Sequence, residues 1–370
     1  MLLRGLLTGE AGAAARPVGL PAAGRGRPHR PQPEDWPEVL DVAQELMVIP
    51  EVSRVVRQTP TDVPPAVADH LREAHMGHLV RNLRFRHELT RVVEAFNRAG
   101  TVPLLMKGSL QLVDGTLGLG DRWMSDLDVV VPGADLSRTP EILLELGYRP
   151  DPGKPFLHPH ELPFYRAGAP GPIEVHCELG SSALSDVLPV AEAWAASTEL
   201  TIGQASARAM SPTHQVLHNI LHSAVQDLNH VVGGLPLRQL LTLAGLARVH
   251  GAAVDWPGIE RRMQEHGLGG TYHDHLWLTH RLTGMALPDN VGGGPGARLY
   301  ERWALASYAL GWPANAQRNV RHAFGRAYLD SLYAHGDRPL QLAWARARHA
   351  VTVLRRDGRG ALEATLRRKN

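Results

Sequence analysis

The run Leu127-Asp128-Val129-Val130-Val131 admits few structures. It is too short for a stable helix, it is rich in β-branched residues, and Pro132 stops it, so it reads as a buried strand. Two more short apolar runs lie near it in the chain. Val102 to Met106 is one, and Ile173-Glu174-Val175-His176-Cys177, with alternating faces, is the other. Outside this stretch the apolar period changes to that of helices. Helical patterns cover residues 36–57 and 65–99 on one side. On the other they cover 186–197, 212–228, 236–250, 256–266, 271–284, 297–310, 317–335 and 339–356. The expected fold class is α+β, a small mixed β-sheet core embedded in a mainly α-helical protein. Four regions follow. Residues 1–35, rich in Gly, Pro, Ala and Arg, form a disordered arm; 36–100 are N-terminal helices; 101–185 are the α/β core; 186–370 are a C-terminal helical domain.

Composition excludes several classes. The 370 residues carry a net charge of +2, which argues against a nucleic-acid partner because no whole-chain field is present. A single cysteine, Cys177, rules out an internal disulfide framework and any multi-cysteine metal cluster. No apolar run approaches the roughly 18 residues that a membrane span needs. The N-terminal stretch is broken by Arg4, Gly9 and Glu10 and does not read as a secretory signal. The expectation is a cytoplasmic protein with no membrane partner.

The chemistry concentrates in residues 104–131, LLMKGSLQLVDGTLGLGDRWMSDLDVVV. A strand runs into Lys107-Gly108-Ser109 and then a helical stretch. Glycine allows backbone to approach a ligand, and a hydroxyl with free N–H groups at a helix start suits phosphate oxygens. Further on, Asp126 and Asp128 stand two residues apart at a strand start and so project to one face. Two carboxylates that close repel unless a cation lies between them, and Mg²⁺ (or Mn²⁺) suits hard oxygen ligands shared with substrate phosphates. Glu174, between two apolar anchors of the third strand, is a third carboxylate for such a site, with His176 on its face.

Gly-Ser, paired Asp and a later strand carboxylate, in this order, resemble the DNA polymerase β–like nucleotidyltransferase superfamily. The chain is more closely similar to an uncharacterised bacterial nucleotidyltransferase family. The likeness is carried by Asn82-Leu83-Arg84, by Gly100-Thr-Val-Pro-Leu-Leu-Met-Lys107-Gly108, by Arg122, Asp126 and Asp128, by Leu146-Gly147-Tyr148, and by Glu174 and His176. It implies that Asp126, Asp128 and Glu174 are catalytic and hold the metal. It implies equally that Lys107, Gly108, Ser109 and Arg122 bind the phosphates of a nucleoside triphosphate (NTP, with ATP binding as one case). The implied reaction moves a nucleoside monophosphate (NMP) group from an NTP to an unidentified acceptor, a small molecule, peptide or protein, releasing pyrophosphate. The alternative is a catalytically silent nucleotide-binding or protein-interaction module with the same fold. An RNA-directed enzyme is a third reading that the near-neutral charge opposes.

Plainer readings compete at each residue. The Asp pair also suits a turn and cap, and Ser109 suits a helix cap. Lys107 and Arg122 could pair with Asp114 or Asp121, and Glu174 could turn to solvent beside Glu178. The loop His158-Pro159-His160 and the stripe His214, His218, His222 invite metal readings. A structural or substrate-facing role is the better expectation for the stripe, because no Glu follows His218 as the metalloprotease pattern requires. The basic end at 355–369 reads as a solvated helix terminus.

Overall fold

A computed structural model describes residues 31–58, 63–150 and 163–309. The α+β expectation holds: one mixed seven-stranded sheet lies among helices. The strands are β1 (Leu104–Leu105), β2 (Leu127–Val130), β3 (Arg149–Pro150), β4 (Pro163–Tyr165), β5 (Ile173–His176), β6 (Thr198–Ile202) and β7 (Ala205–Ala209). Their order across the sheet is β3-β4-β5-β2-β1-β7-β6. The three anticipated strands are adjacent at the centre. β2 pairs parallel with β5 and antiparallel with β1.

The chain does not turn wholly helical after residue 186. β6 and β7 form an antiparallel hairpin around Gly203-Gln204, with Ile202 opposite Ala205. Gly203 has φ +64°, which glycine adopts without steric cost, so a tight two-residue turn closes there. The alternation Leu200, Ile202, Ala205, Ala207 was the available signal, diluted by alanine and glycine.

The Pro65–Arg98 helix backs the sheet. Phe85, Leu89, Val92, Val93 and Phe96 recur at helical spacing and are fully buried in the main core, which also holds the apolar residues of β1, β2 and β5. The helix ends as anticipated, with Gly100 at φ +83° just past its last turn. Met76 and Leu83 depart from expectation and are exposed, while Leu71, with Val67 and Ala74 beside it, meets a second core. That second core joins Trp36, Val39 and Val52 to Leu240, Leu278 and Tyr300. The single helix expected over 36–57 is two, Trp36–Glu45 and Ile49–Gln58, broken where Met47 takes φ +57°.

The helices Pro212–Leu221, Leu237–His250, Trp256–Glu265, Gly269–Thr283 and Pro295–Ala309 form the rest of the shell. A π-helical turn, His222–Gln226, extends the first of them. Among the described residues no helix is long and apolar enough to cross a membrane. The histidines of the 158–160 loop, the helices expected beyond 310, the basic end and most of the N-terminal arm lie outside the described residues.

Candidate active site

Parallel pairing of β2 with β5 sets the register Leu127↔Ile173, Asp128↔Glu174, Val129↔Val175 and Val130↔His176. The flanking apolar residues are buried and fix both strands, so Asp128 and Glu174 stand side by side. His176 projects to the same face two residues on. Its Nε2 lies 3.0 Å from Asp128 Oδ1, and Lys107 Nζ donates to the same oxygen at 2.9 Å. Single ligand atoms of Asp128, Glu174 and His176 all lie within 4.8 Å of one another. Asp126, immediately before β2, accepts from Ser125 Oγ at 3.0 Å and lines the same cavity.

That cavity has a volume of about 300 Å³. Its sheet wall includes Lys107, Gly108, Arg122, Asp126, Asp128, Glu174 and His176. Six of the seven residues expected to bind metal or phosphate are therefore brought together. Ser109 is the one that is not: it is fully buried, its hydroxyl has no partner, and it lies outside the cavity wall. Of the plainer readings, Asp114 accepts from the Thr116 N–H, and Asp121 pairs with Arg57 and His75.

Local structure explains how these side chains arrive. Lys107 has φ +49°, a left-handed conformation that costs a non-glycine residue of order 1–3 kcal/mol. It turns the chain from β1 directly into the short Lys107–Gln111 helix while the ammonium stays on Asp128. A Cβ on Gly108 would come within 2.6 Å of Met124 Cε and Sδ and 3.3 Å of Arg122 Nη2, so glycine admits these side chains close to the backbone. The loop before β2 is tied to the Pro65–Arg98 helix. Asn82 Nδ2 donates to the carbonyls of Leu119 and Arg122 at 2.5 and 2.9 Å, and Arg81 Nε donates to that of Met124 at 3.1 Å.

The charges are unevenly satisfied. Burial pushes the Asp126 carboxyl above its ordinary range, and the neighbouring charge of Asp128 adds to this. Glu174 is raised for the same two reasons. Burial acts against ionised Asp128 as well, but Lys107 and His176 outweigh it and hold that carboxyl well below the usual range. The Lys107 ammonium, despite its own burial, is held above its ordinary value by Asp128. Of the cavity's cations only Lys107 is hydrogen-bonded to one of the three crowded carboxyls, an arrangement that a divalent ion relieves.

The opposite wall comes from the Pro212–Leu221 helix, the π turn and the Leu237–His250 helix. Gln215, His218, Asn219, His222 and Gln226 face the cavity from the first two, and Arg238, Gln239 and Thr242 from the third. These amides and Arg238 escaped the sequence reading. The signal was there: 215, 219, 222 and 226 share a helical face opposite buried Val216, Leu217 and Ile220. The histidine stripe divides. His218 Nε2 meets the Leu179 carbonyl at 2.9 Å and His222 Nδ1 meets Asp227 at 3.5 Å, whereas His214 turns away to Glu192 at 3.3 Å. Burial, aided by the charge on Lys107, lowers His218 to about 4, so it is neutral at ordinary pH.

Comparisons with known proteins bear on this constellation. No curated protein matches the chain. The solution structure of the antibiotic-resistance factor ANT(2'')-Ia is similar at 15% identity, over 51% of this chain and 96% of that one, with a TM-score of 0.35. That likeness is too slight for any inference about this chain. A family described as uncharacterised nucleotidyltransferases matches residues 32–284, which include β1 to β7 and both walls of the cavity. The match spans more than half of the 370 residues, and the chain belongs to this uncharacterised nucleotidyltransferase family.

Proposed function

We propose that this chain is a metal-dependent nucleotidyltransferase that moves an NMP group from an NTP to an unidentified acceptor, a small molecule, peptide or protein. The observation that carries the reading is the β2–β5 register, which sets Asp128 beside Glu174 on the floor of a cavity also lined by Asp126. The donor set fits a hard divalent cation, Mg²⁺ or Mn²⁺. Ligand atoms of Asp128, Glu174 and His176 cluster, Asp126 lines the same cavity, and burial together with the charge of Asp128 raises the Asp126 and Glu174 carboxyls. Asp126, Asp128 and Glu174 would hold the ion, with His176 steadying Asp128. When bound, the ion supplies charge neutralisation and polarises the phosphoryl oxygens.

The protein's own groups do the rest. Lys107 and Arg122 offset the negative charge of the polyphosphate. The acceptor's oxygen or nitrogen forms a bond to the α-phosphorus while the bond from that phosphorus to the bridging oxygen breaks. Pyrophosphate leaves with the electron pair, and Glu174 takes the acceptor's proton. The amides of the helical wall orient the acceptor.

Lys107 on Asp128 favours a second reading, a nucleotide-binding module without turnover, because the ammonium already neutralises a would-be metal ligand. Pyrophosphate release from Mg²⁺ and NTP over an acceptor panel separates the two. The transferase reading expects release that falls by about 10²-fold or more in Asp128→Asn. Thermal stabilisation by NTP without any release would favour the silent module.

A further inference from the structure

A second cavity, of about 410 Å³, adjoins the active cavity. The Leu237–His250 helix lines both. Arg238, Gln239 and Leu246 face the active cavity, Leu241, Ala244 and Arg248 face the second, and Thr242 is common to the two. Leu117 reaches the second cavity from the loop before β2, and Glu51 and Arg54 reach it from the Ile49–Gln58 helix. Its place in the fold is the seam between the two cores. Leu241 packs on the second core, whereas Ala244, Ala247, Trp256 and Leu287 pack on the main one. The helix presents small residues there, Ala244, Gly245 and Ala247, and they keep the seam open. Protein interiors rarely leave voids larger than a water molecule, so an apolar void of this size lacks the contacts that a ligand supplies.

The lining also carries charge. Arg54 and Arg248 bring two guanidinium groups, and Glu51 is the one acid among the lining residues. Burial raises the Glu51 carboxyl to about 7, although the charges of Arg122, Arg54 and Arg238 all pull it the other way. The field at the cavity is therefore positive, and its acid is partly neutral at ordinary pH. Arg248 is exposed and pairs with no group among the described residues. A polyphosphate would place several charges on an apolar floor, and an ammonium would face two guanidinium groups. One anionic head on an apolar body suits both the floor and the field.

We infer that this cavity binds an amphipathic monocarboxylate, an acid whose apolar body lies on Leu117, Leu241, Trp256 and Met285 and whose carboxylate meets Arg248. The inference does not rest on the nucleotidyltransferase reading. It has a consequence for the active cavity all the same. Leu117 belongs to the loop that carries Arg122 and Asp126, and Thr242 lines both cavities, so the ligand would touch two elements that shape the active cavity.

The test is calorimetric titration of the full chain with octanoate, and with octan-1-ol and octylammonium as its neutral and cationic counterparts. Wild type is expected to bind octanoate saturably, and about tenfold or more tightly than octylammonium. Ala247→Phe, which fills the cavity from a partly buried position, should abolish that binding. Arg248→Glu lies at an exposed position and avoids the folding defect that filling a cavity risks. It should weaken octanoate about tenfold and leave octan-1-ol within about twofold. Octanoate should also bind in the presence of Mg²⁺ and a saturating non-hydrolysable ATP analogue. Displacement by the analogue would assign the cavity to the nucleobase and overturn the inference. No saturable binding by wild type, equal affinity for octanoate and octylammonium, or wild-type affinity in Arg248→Glu would overturn it as well. Pyrophosphate release is measured separately, so the transferase reading stands or falls on its own.

Discussion

The two walls of the cavity solve different physical problems. The sheet wall packs carboxyls, an ammonium and a guanidinium onto two short strands and their approaches, each held by buried valines, leucines and hydrogen-bonded loops. The helical wall offers amides, a hydroxyl and imidazoles kept neutral by burial, with Arg238 as its one arginine. Charge that acts on a reacting phosphate needs fixed geometry, and strands within a sheet supply it. Recognition of an acceptor needs donors and acceptors in variety, and a helical face supplies those. On the proposed function, reaction belongs to the sheet wall and recognition of the acceptor to the helical wall, so each can be perturbed without the other.

The contrast can be broken most strongly at Lys107. Lys107→Met should leave Asp128 buried beside Glu174 without its ammonium, and breaking such a pair typically costs about 3–5 kcal/mol. Urea unfolding reads this directly, and a loss under 1 kcal/mol would mean that the sheet wall tolerates its charges without compensation. Excess Mg²⁺ should restore part of the loss, since a cation would re-enter the same carboxyl cluster.

The helical wall is probed by pH. The folded-state pKa of His218 lies near 4, below its ordinary 6.5. Below pH 6.5 the unfolded chain takes up a proton that the folded chain refuses until about pH 4, so stability from this group is lost as pH falls through that window. The loss is about 1.4 kcal/mol per pH unit, roughly 3 kcal/mol in all. His218→Gln, which can still donate to the Leu179 carbonyl, should flatten that part of the stability profile. An unchanged slope would show that the wall's neutrality does not depend on His218.

A smaller effect is expected at the seam between strands. A Cβ on Gly171 would meet the Ser125 carbonyl at 2.3 Å and Phe85 Cζ at 2.7 Å. Gly171→Ala must shift the backbone beside Asp126, and overpacking of this kind typically costs about 1–3 kcal/mol. The unfolding midpoint should fall, and NTP binding with it. A variant as stable as wild type would show that the loop before β2 is looser than its hydrogen bonds imply.

Much of the sheet wall was legible because short strands announce themselves by composition. Valines and a proline bracket Asp128, and isoleucine and valine bracket Glu174, so the alternation alone assigns both acids to strand faces. That the two strands pair in parallel with those acids opposed is a long-range fact that no local pattern contains. The helical wall was legible only as helices. Which polar face of residues 212–226 meets the cavity depends on docking against the sheet and on the π turn at 222–226, which shifts Gln226 relative to a regular helix. Arg238 carries no local mark at all, since its place on the cavity wall depends on how the Leu237–His250 helix docks. The β6–β7 hairpin was missed because Ala and Gly weaken its strand signal.

The proposed chemistry needs acids from β2 and β5 to converge on one divalent ion. Mn²⁺ titration followed by electron paramagnetic resonance, with NTP present, tests that most directly. The expected result is loss of the free-ion signal on adding wild-type protein, and much weaker loss with Asp128→Asn or Glu174→Gln. Equal uptake of Mn²⁺ by all three proteins would contradict it.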